Sequence, residues 1–320
     1  MELVLGGVDG LGLTGLRNLD TVADASVTNR RGRWWMVLGG LVRGERAVQL
    51  HAAELPAGAE LTDPRWRITT EPDDPKLAAR LAPAPPAGGW DATGYHCPSY
   101  VAGHGRDGRV VERIYYASSE SWESFLGPYR IGFLEWDGGA WVRHPEPVFV
   151  GEEPWERGSV LEPNVLYRDG RWLLSYTAGV GQGVRSAAGS AESADGVGGW
   201  QRTGTPQEDR FDAQVIRDGH GFARVTSRHP LDAKFTATDG IWLAHGTDPA
   251  GPWPAERQLV QSADGTPWHD AGVWKPCAVT DRDGLVVFFN GSQRTDSPFL
   301  GALGIGVVRV DPPGAPSGAA

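Results

Sequence analysis

Five positions put a charged or nucleophilic residue at the head of a short apolar strand: Asp24, Cys97, Glu162, Asp212 and Lys275. Pro or Ala follows each of them, as in Asp24-Ala25-Ser26-Val27 and Glu162-Pro163-Asn164-Val165. Carboxylates facing one another across a bond can supply a general base and a general acid. Three carboxylates and one ammonium in a confined space would also shift one another's pKa values. The alternative is that these residues only cap strands or hold water.

A repeating element must bring such distant residues together. In each copy a Gly-containing turn follows the apolar strand, at Arg31-Gly32, Asp107-Gly108, Asp169-Gly170, Asp218-Gly219 and Asp283-Gly284. A second, aromatic-rich strand comes next, such as Trp34-Trp35-Met36-Val37 or Trp172-Leu173-Leu174-Ser175-Tyr176. Asp-Gly pairs suit tight hairpins, where positive φ is needed. The copies recur about every 63 residues, enough for a four-stranded propeller blade with long loops. Further strands are expected at 129–134, 241–244 and 304–310, with an outer hairpin at 135–141. The sequence therefore predicts an all-β, five-bladed β-propeller occupying residues 1–320 as one domain. The first strand of every blade lines the axis of a propeller, so the five leading residues should converge. A β-sandwich would not explain a polar residue at the same phase of every unit.

Composition agrees. The 320 residues include 45 Gly, 24 Pro and 14 Trp, which favour turns and strands over helices. One short helix is expected over Asp74–Leu81. Met1–Gly7 has no basic start before an apolar run, so it reads as an ordinary first strand and not as a signal peptide. Two distant cysteines, Cys97 and Cys277, are too few for a disulfide framework and read as free thiols, which points to a cytoplasmic location. The formal net charge of −10 disfavours phosphate backbones and anionic lipid. The expected partner is a small-molecule or carbohydrate substrate, with no nucleic acid and no membrane, on a monomer or weak homodimer.

The third copy, Glu162-Pro163-Asn164-Val165-Leu166-Tyr167-Arg168-Asp169-Gly170-Arg171-Trp172, resembles the five-bladed glycoside hydrolases of families 43, 32 and 130. Asp24-Ala25-Ser26-Val27 is similar to the family-43 Asp-Pro-x-Val motif that holds the general base. The resemblance implies an inverting glycosidase with an Asp base, a Glu acid and a second Asp that tunes the acid. Asp24 then matches the base. Counted by blade order, Glu162 stands at the tuning place and Asp212 at the acid's; the alternative, preferred because the Glu162 motif is the cleaner, makes Glu162 the acid and Asp212 the helper. Many members carry a channel metal with a His on the fifth blade. Lys275 holds that phase here, so no metal and no cofactor are expected, although His269 lies nearby. These departures also open a non-hydrolytic reading (lyase, cyclase or isomerase), and a third reading is a sugar-binding propeller.

Residues expected to contact substrate are His96, Lys275, Arg228, Asn290 and Trp274. Arg224 and His229 are further rim candidates, and Trp90, Trp155 and Trp268 either stack on a sugar or pack between strands. An activated His96–Cys97 pair is disfavoured, because neighbours on a strand point to opposite faces. Gly10-Leu11-Gly12-Leu13-Thr14-Gly15 fits a dinucleotide fingerprint literally, but no βαβ unit surrounds it.

Overall fold

The structure is a computed structural model that describes residues 2–6, 16–122, 127–179, 186–219, 221–228, 239–262, 266–293 and 303–310. His229 and the Gly10–Gly15 fingerprint lie outside the described residues. Among the described residues no helix is long and apolar enough to cross a membrane.

The N-terminal strand β1 (Glu2–Gly6) precedes the blades. Blade one is built from β2 (Leu19–Arg30), β3 (Arg33–Val42), β4 (Val48–Glu54) and β5 (Arg67–Ile68). A side hairpin of β6 (Thr70–Glu71) and β7 (Asp74–Ala78) follows. Blade two comprises β8 (His96–His104), β9 (Val110–Ser118), β10 (Arg130–Trp136) and β11 (Trp141–Arg143). Blade three comprises β12 (Val160–Arg168), β13 (Arg171–Ala178), β14 (Ala187–Ser193) and β15 (Gln201–Glu208). Blade four comprises β16 (Phe211–Arg217), β17 (Phe222–Ser227), β18 (Gly240–Gly246) and β19 (Glu256–Gln261). Blade five contains β20 (Gly272–Asp281), β21 (Gly284–Ser292) and β22 (Leu303–Arg309), and β1 supplies its outer edge. The chain's first strand thus closes the ring by pairing antiparallel with its last. The result is a five-bladed β-propeller, as the repeat implies.

The strands β2, β8, β12, β16 and β20 touch one another in cyclic order. Side chains two residues past four of the five axial positions stitch them together. Ser26 Oγ accepts the Tyr100 N–H at 3.0 Å, Ser99 Oγ accepts that of Val165 at 3.0 Å, and Cys277 Sγ accepts that of Val27 at 3.2 Å. The Gln214 amide oxygen accepts the Ala278 N–H in the same way. These bonds satisfy inner-strand N–H groups that no ladder reaches. They also give Cys277, a free buried thiol, a structural use.

Two turns match the expected two-residue hairpin, with both φ values positive: Arg31-Gly32 (54° and 81°) and Asp169-Gly170 (49° and 78°). At the fifth blade Asp281 pairs with Gly284, so the turn residues are Arg282 and Asp283. Asp107-Gly108 and Asp218-Gly219 sit in longer loops.

The expected helix over Asp74–Leu81 is instead strand β7 and the segment leading out of it. Its backbone is claimed from outside. Asn18 clamps both the N–H and the C=O of Ala78, at 2.8 and 3.1 Å. Arg17 N–H donates to Lys76 O, and Leu81 N–H to Leu50 O, each at 2.8 Å. Local propensity loses to these tertiary bonds, and Pro75 has no N–H to lose from the hairpin.

A second repeat emerges in the loops ahead of the inner strands. Trp90, Trp155 and Trp268 each lie seven positions before an axial residue, Cys97, Glu162 and Lys275. Each stacks on the aromatic of its blade's second strand: Trp90 on Tyr116, Trp155 on Tyr176 and Trp268 on Phe289, at 5.8, 5.9 and 5.6 Å between centroids. Each ring also covers a third-strand glycine, Gly132, Gly189 or Gly306, whose missing Cβ leaves the room. The sugar-stacking expectation for these three tryptophans gives way to packing within the blade. A Cβ on Gly306 would lie 2.2 Å from Trp268. Gly306→Ala should therefore cost about 2–3 kcal/mol by overpacking, read as a lower urea midpoint with an unchanged m-value.

Candidate functional site

Each axial residue has left-handed backbone: φ is 61° at Asp24, 54° at Cys97, 53° at Glu162, 54° at Asp212 and 51° at Lys275. None is glycine, so each conformation costs about 1–2 kcal/mol. The pairing register slips at the same five places, between 23 and 26, 96 and 99, 161 and 164, 211 and 214, and 274 and 277. Every inner strand therefore carries a β-bulge at its axial residue, which re-aims a side chain that regular pleating would place otherwise.

The five axial residues form one cluster through side-chain and backbone bonds, with the Cys97 thiol against the Glu162 carboxyl group. Asp24 Oδ1 accepts the Asn290 side-chain N–H at 2.6 Å, and Asp24 Oδ2 accepts the Cys97 N–H at 3.2 Å. The Asp24 N–H returns a bond to Asn290 Oδ1 at 2.7 Å. Lys275 Nζ lies 3.0 Å from Glu162 Oε2, with both side chains buried. The Lys275 N–H donates to Asp212 Oδ2 at 2.7 Å, and the Ser227 hydroxyl donates to the same oxygen at 2.8 Å. The Asp212 N–H donates to Thr177 Oγ1 at 2.9 Å.

A cavity of about 120 Å³ opens onto part of this cluster. Asp24, Cys97 and Glu162 line it, with His96, Tyr129, Trp122 and Trp274. Apolar wall comes from Ala23, Leu41, Val48, Ala117, Leu161 and Leu303. Asp212 and Lys275 are not in this wall and lie buried on the axis.

Burial and neighbouring charge set the protonation states. Burial, reinforced by the Glu162 charge, pushes the Asp212 pKa well above the ordinary carboxylate range. Burial opposes the charge of Lys275, but Glu162, Cys97, Asp212 and Asp24 outweigh it and raise its pKa. Burial lowers His96 to about 4 despite the opposing charge of Asp24, so its ring is neutral at pH 7. Its Nε2 contacts Thr93 O and Oγ1, at 3.1 and 3.2 Å. Burial and the Asp24 and Glu162 charges push the Cys97 thiol up, so it is no thiolate.

The remaining expected contacts fall differently. Trp274 lines the cavity. Asn290 is fully buried and spends its amide on Asp24. Its register partner across the sheet is Trp274, which ties the two together. The Arg228 guanidinium bonds Glu256 at 2.8 Å and lies 3.6 Å from the centroid of the Trp242 ring. Arg224 also pairs with Glu256 at 2.6 Å. Arg228 is thus committed within blade four, and Arg224 to Glu256 there and to Gln207 of blade three. His269 is buried beside Trp268 and Phe289, away from the cavity lining. Among the described residues no group of three or more His, Cys, Asp or Glu is arranged to hold a metal ion. Sequence reasoning missed Tyr129, Trp122 and the Ser227 and Thr177 hydroxyls. No motif marks them, since they reach the site from other strands and loops.

No protein-family model and no curated protein matches this chain. Solved structures match it closely in shape. One described as a glycoside hydrolase superposes with a TM-score of 0.67 at 13% identity, covering 97% of this chain and 91% of its own. An α-L-arabinofuranosidase from Lactobacillus brevis gives 0.59 at 14% identity, covering 90% and 91%. A thermostable family-43 glycoside hydrolase gives 0.57 at 14% identity, covering 89% and 88%. At such identity the likeness is one of fold, and the fold is that of propeller glycoside hydrolases.

Proposed function

We propose that this protein is a glycosidase-like enzyme acting on a small glycoside at the cavity on the propeller axis. One observation carries the reading: two carboxyl groups from non-adjacent blades, Asp24 and Glu162, line the same cavity while a third, Asp212, lies buried behind it. Glycoside hydrolysis by inversion needs a base to activate water on one face of the sugar and an acid to protonate the leaving oxygen on the other.

Asp24 is the base. Asn290 and the Cys97 N–H fix its orientation and leave lone pairs for a water. As Asp24 takes a proton from that water, its oxygen bonds the anomeric carbon and the glycosidic bond breaks. Glu162 delivers a proton to the departing oxygen, and Asp212 tunes it through its charge state. Trp274, Trp122 and Tyr129 offer aromatic faces to the sugar ring. The small volume and the apolar wall suit one ring with few hydroxyl groups.

The test is a panel of aryl pentosides and 6-deoxyhexosides, with release of the phenol measured and the first-formed anomer read by NMR. Turnover with an inverted anomer is the expected result. Glu162→Gln should lower it about 100-fold or more. The apolar wall also favours the non-hydrolytic reading as runner-up. Absence of phenol release across the panel would turn the case to that reading.

A further inference from the structure

We propose that Lys275 is a positioning residue that divides the roles of Glu162 and Asp212, acting on both carboxyl groups at once from opposite ends of the same amino acid. Its ammonium reaches Glu162 at 3.0 Å, and its backbone N–H reaches Asp212 at 2.7 Å. The left-handed backbone at Lys275, φ 51°, makes this double reach possible on an inner strand.

The two acids therefore meet different environments. Glu162 faces a buried full positive charge. Asp212 receives only neutral donors, and both converge on Oδ2: the Lys275 N–H and the Ser227 hydroxyl. Asp212 Oδ1 is buried and has no hydrogen-bond partner among the described residues. A carboxylate oxygen left bare in that position would cost several kcal/mol. A carboxylic acid with its proton on Oδ1 lowers that cost by removing the charge, and burial with the Glu162 charge shifts Asp212 in that direction. The charged or titratable groups around Lys275 come from the other four blades: Glu162 on β12, Asp212 on β16, Cys97 on β8 and Asp24 on β2. His96 stays neutral, because burial outweighs the opposing charge of Asp24.

The bare Oδ1 and the surrounding burial thus place a carboxylic proton on Asp212. For the hydrolytic reading, on which this last step rests, the Asp212 proton passes first to Glu162, and Glu162 then gives that same proton to the leaving oxygen, so that Asp212 ends ionised. Asp24 meanwhile gains a proton from water, so the enzyme's proton count is unchanged and a solvent exchange resets it.

The test is infrared difference spectroscopy of the carboxylic C=O stretch at pH 7, which needs no turnover. Wild-type protein should show a protonated-carboxyl band that Asp212→Asn removes. Lys275→Met should add a second such band, because Glu162 loses its counter-charge beside Asp212, and the added Glu162→Gln should remove it. Should Lys275→Met fail to fold, Glu162→Gln alone decides: without the Glu162 charge, the Asp212 band should titrate away at lower pH than in wild type. No protonated band in wild type, or one indifferent to Asp212→Asn, overturns the proposal. So does an Asp212 band whose titration ignores Glu162→Gln. A protein with the predicted bands but no glycosidase activity would instead leave the division of roles intact and remove the hydrolytic reading.

Discussion

Asp24→Asn should lower kcat/KM by about 10³ while leaving the fold in place. Removing a general base from a hydrolytic step costs on the order of 10²–10⁴ in rate. Asn keeps the size and one carbonyl oxygen, so the bond from Asn290 can persist. Asn290 cannot turn over to suit the new amide, because its own Oδ1 already accepts the Asp24 N–H at 2.7 Å. The new NH₂ must then face the Cys97 N–H, donor against donor, where Asp24 Oδ2 accepted at 3.2 Å. That lost bond is worth about 1 kcal/mol, far less than a domain of this size needs to stay folded. The check is steady-state kinetics on the best substrate of the aryl glycoside panel, alongside a thermal melt. Wild-type turnover in the variant would remove Asp24 from the chemistry. A collapsed melt would show that the residue is structural first.

Glu156→Gln should destabilise the propeller by about 3 kcal/mol at pH 7. Glu156 is fully buried in the loop ahead of β12. Its Oε1 accepts the Tyr176 hydroxyl at 2.6 Å and Arg202 Nε at 2.8 Å. Its Oε2 accepts the N–H groups of Glu152 and Glu153 and Arg202 Nη2, at 2.8, 2.9 and 2.7 Å. An amide NH₂ in place of one oxygen would face only donors, and Arg202 would keep only the exposed Glu152, at 3.3 Å, as a counter-ion. Breaking a buried pair in this way typically costs about 3–5 kcal/mol.

The pH dependence has a definite sign. Burial works to raise the Glu156 pKa, but the donors from Arg202, Tyr176 and the two backbone N–H groups outweigh it and hold it below the ordinary value. A carboxyl depressed on folding contributes stability that is complete above its unfolded pKa, about 4.3, and lost as pH falls through the folded value. Urea unfolding at pH 7 should therefore separate wild type from Glu156→Gln widely, and the gap should narrow below about pH 4. A gap that stays constant down to pH 3 would mean that the carboxylate charge is irrelevant. Asp91 does the same work in blade two, accepting Arg143 at 2.5 and 2.8 Å and the Tyr116 hydroxyl at 2.8 Å. Both acids follow directly on the loop tryptophans Trp90 and Trp155, so a Trp-acid pair seven positions ahead of an axial residue was a legible signal of scaffold.

The amino-acid sequence by itself determined the five-fold repeat, the all-β class and the identity of the five axial residues. Those features are local: a polar residue, an apolar strand and a Gly turn lie within about ten residues of one another, and strand periodicity acts over the same range. The sequence also displayed the free thiols and two of the tight hairpin turns, at Arg31-Gly32 and Asp169-Gly170. Tertiary structure alone decided what the axial residues do to one another. Asp24 is oriented by Asn290, 266 positions away, and Lys275 meets Glu162 and Asp212 from two other blades. Strand periodicity assigns faces but does not reveal the bulges that turn all five side chains to the axis. The same limit explains the segment after Asp74, where Asn18 and Leu50 claim backbone groups that a helix would have used. It also explains the edge of blade five, which the opening residues of the chain complete. Ring closure joins the two ends of the polypeptide, and no local pattern records which distant strand will fill the gap.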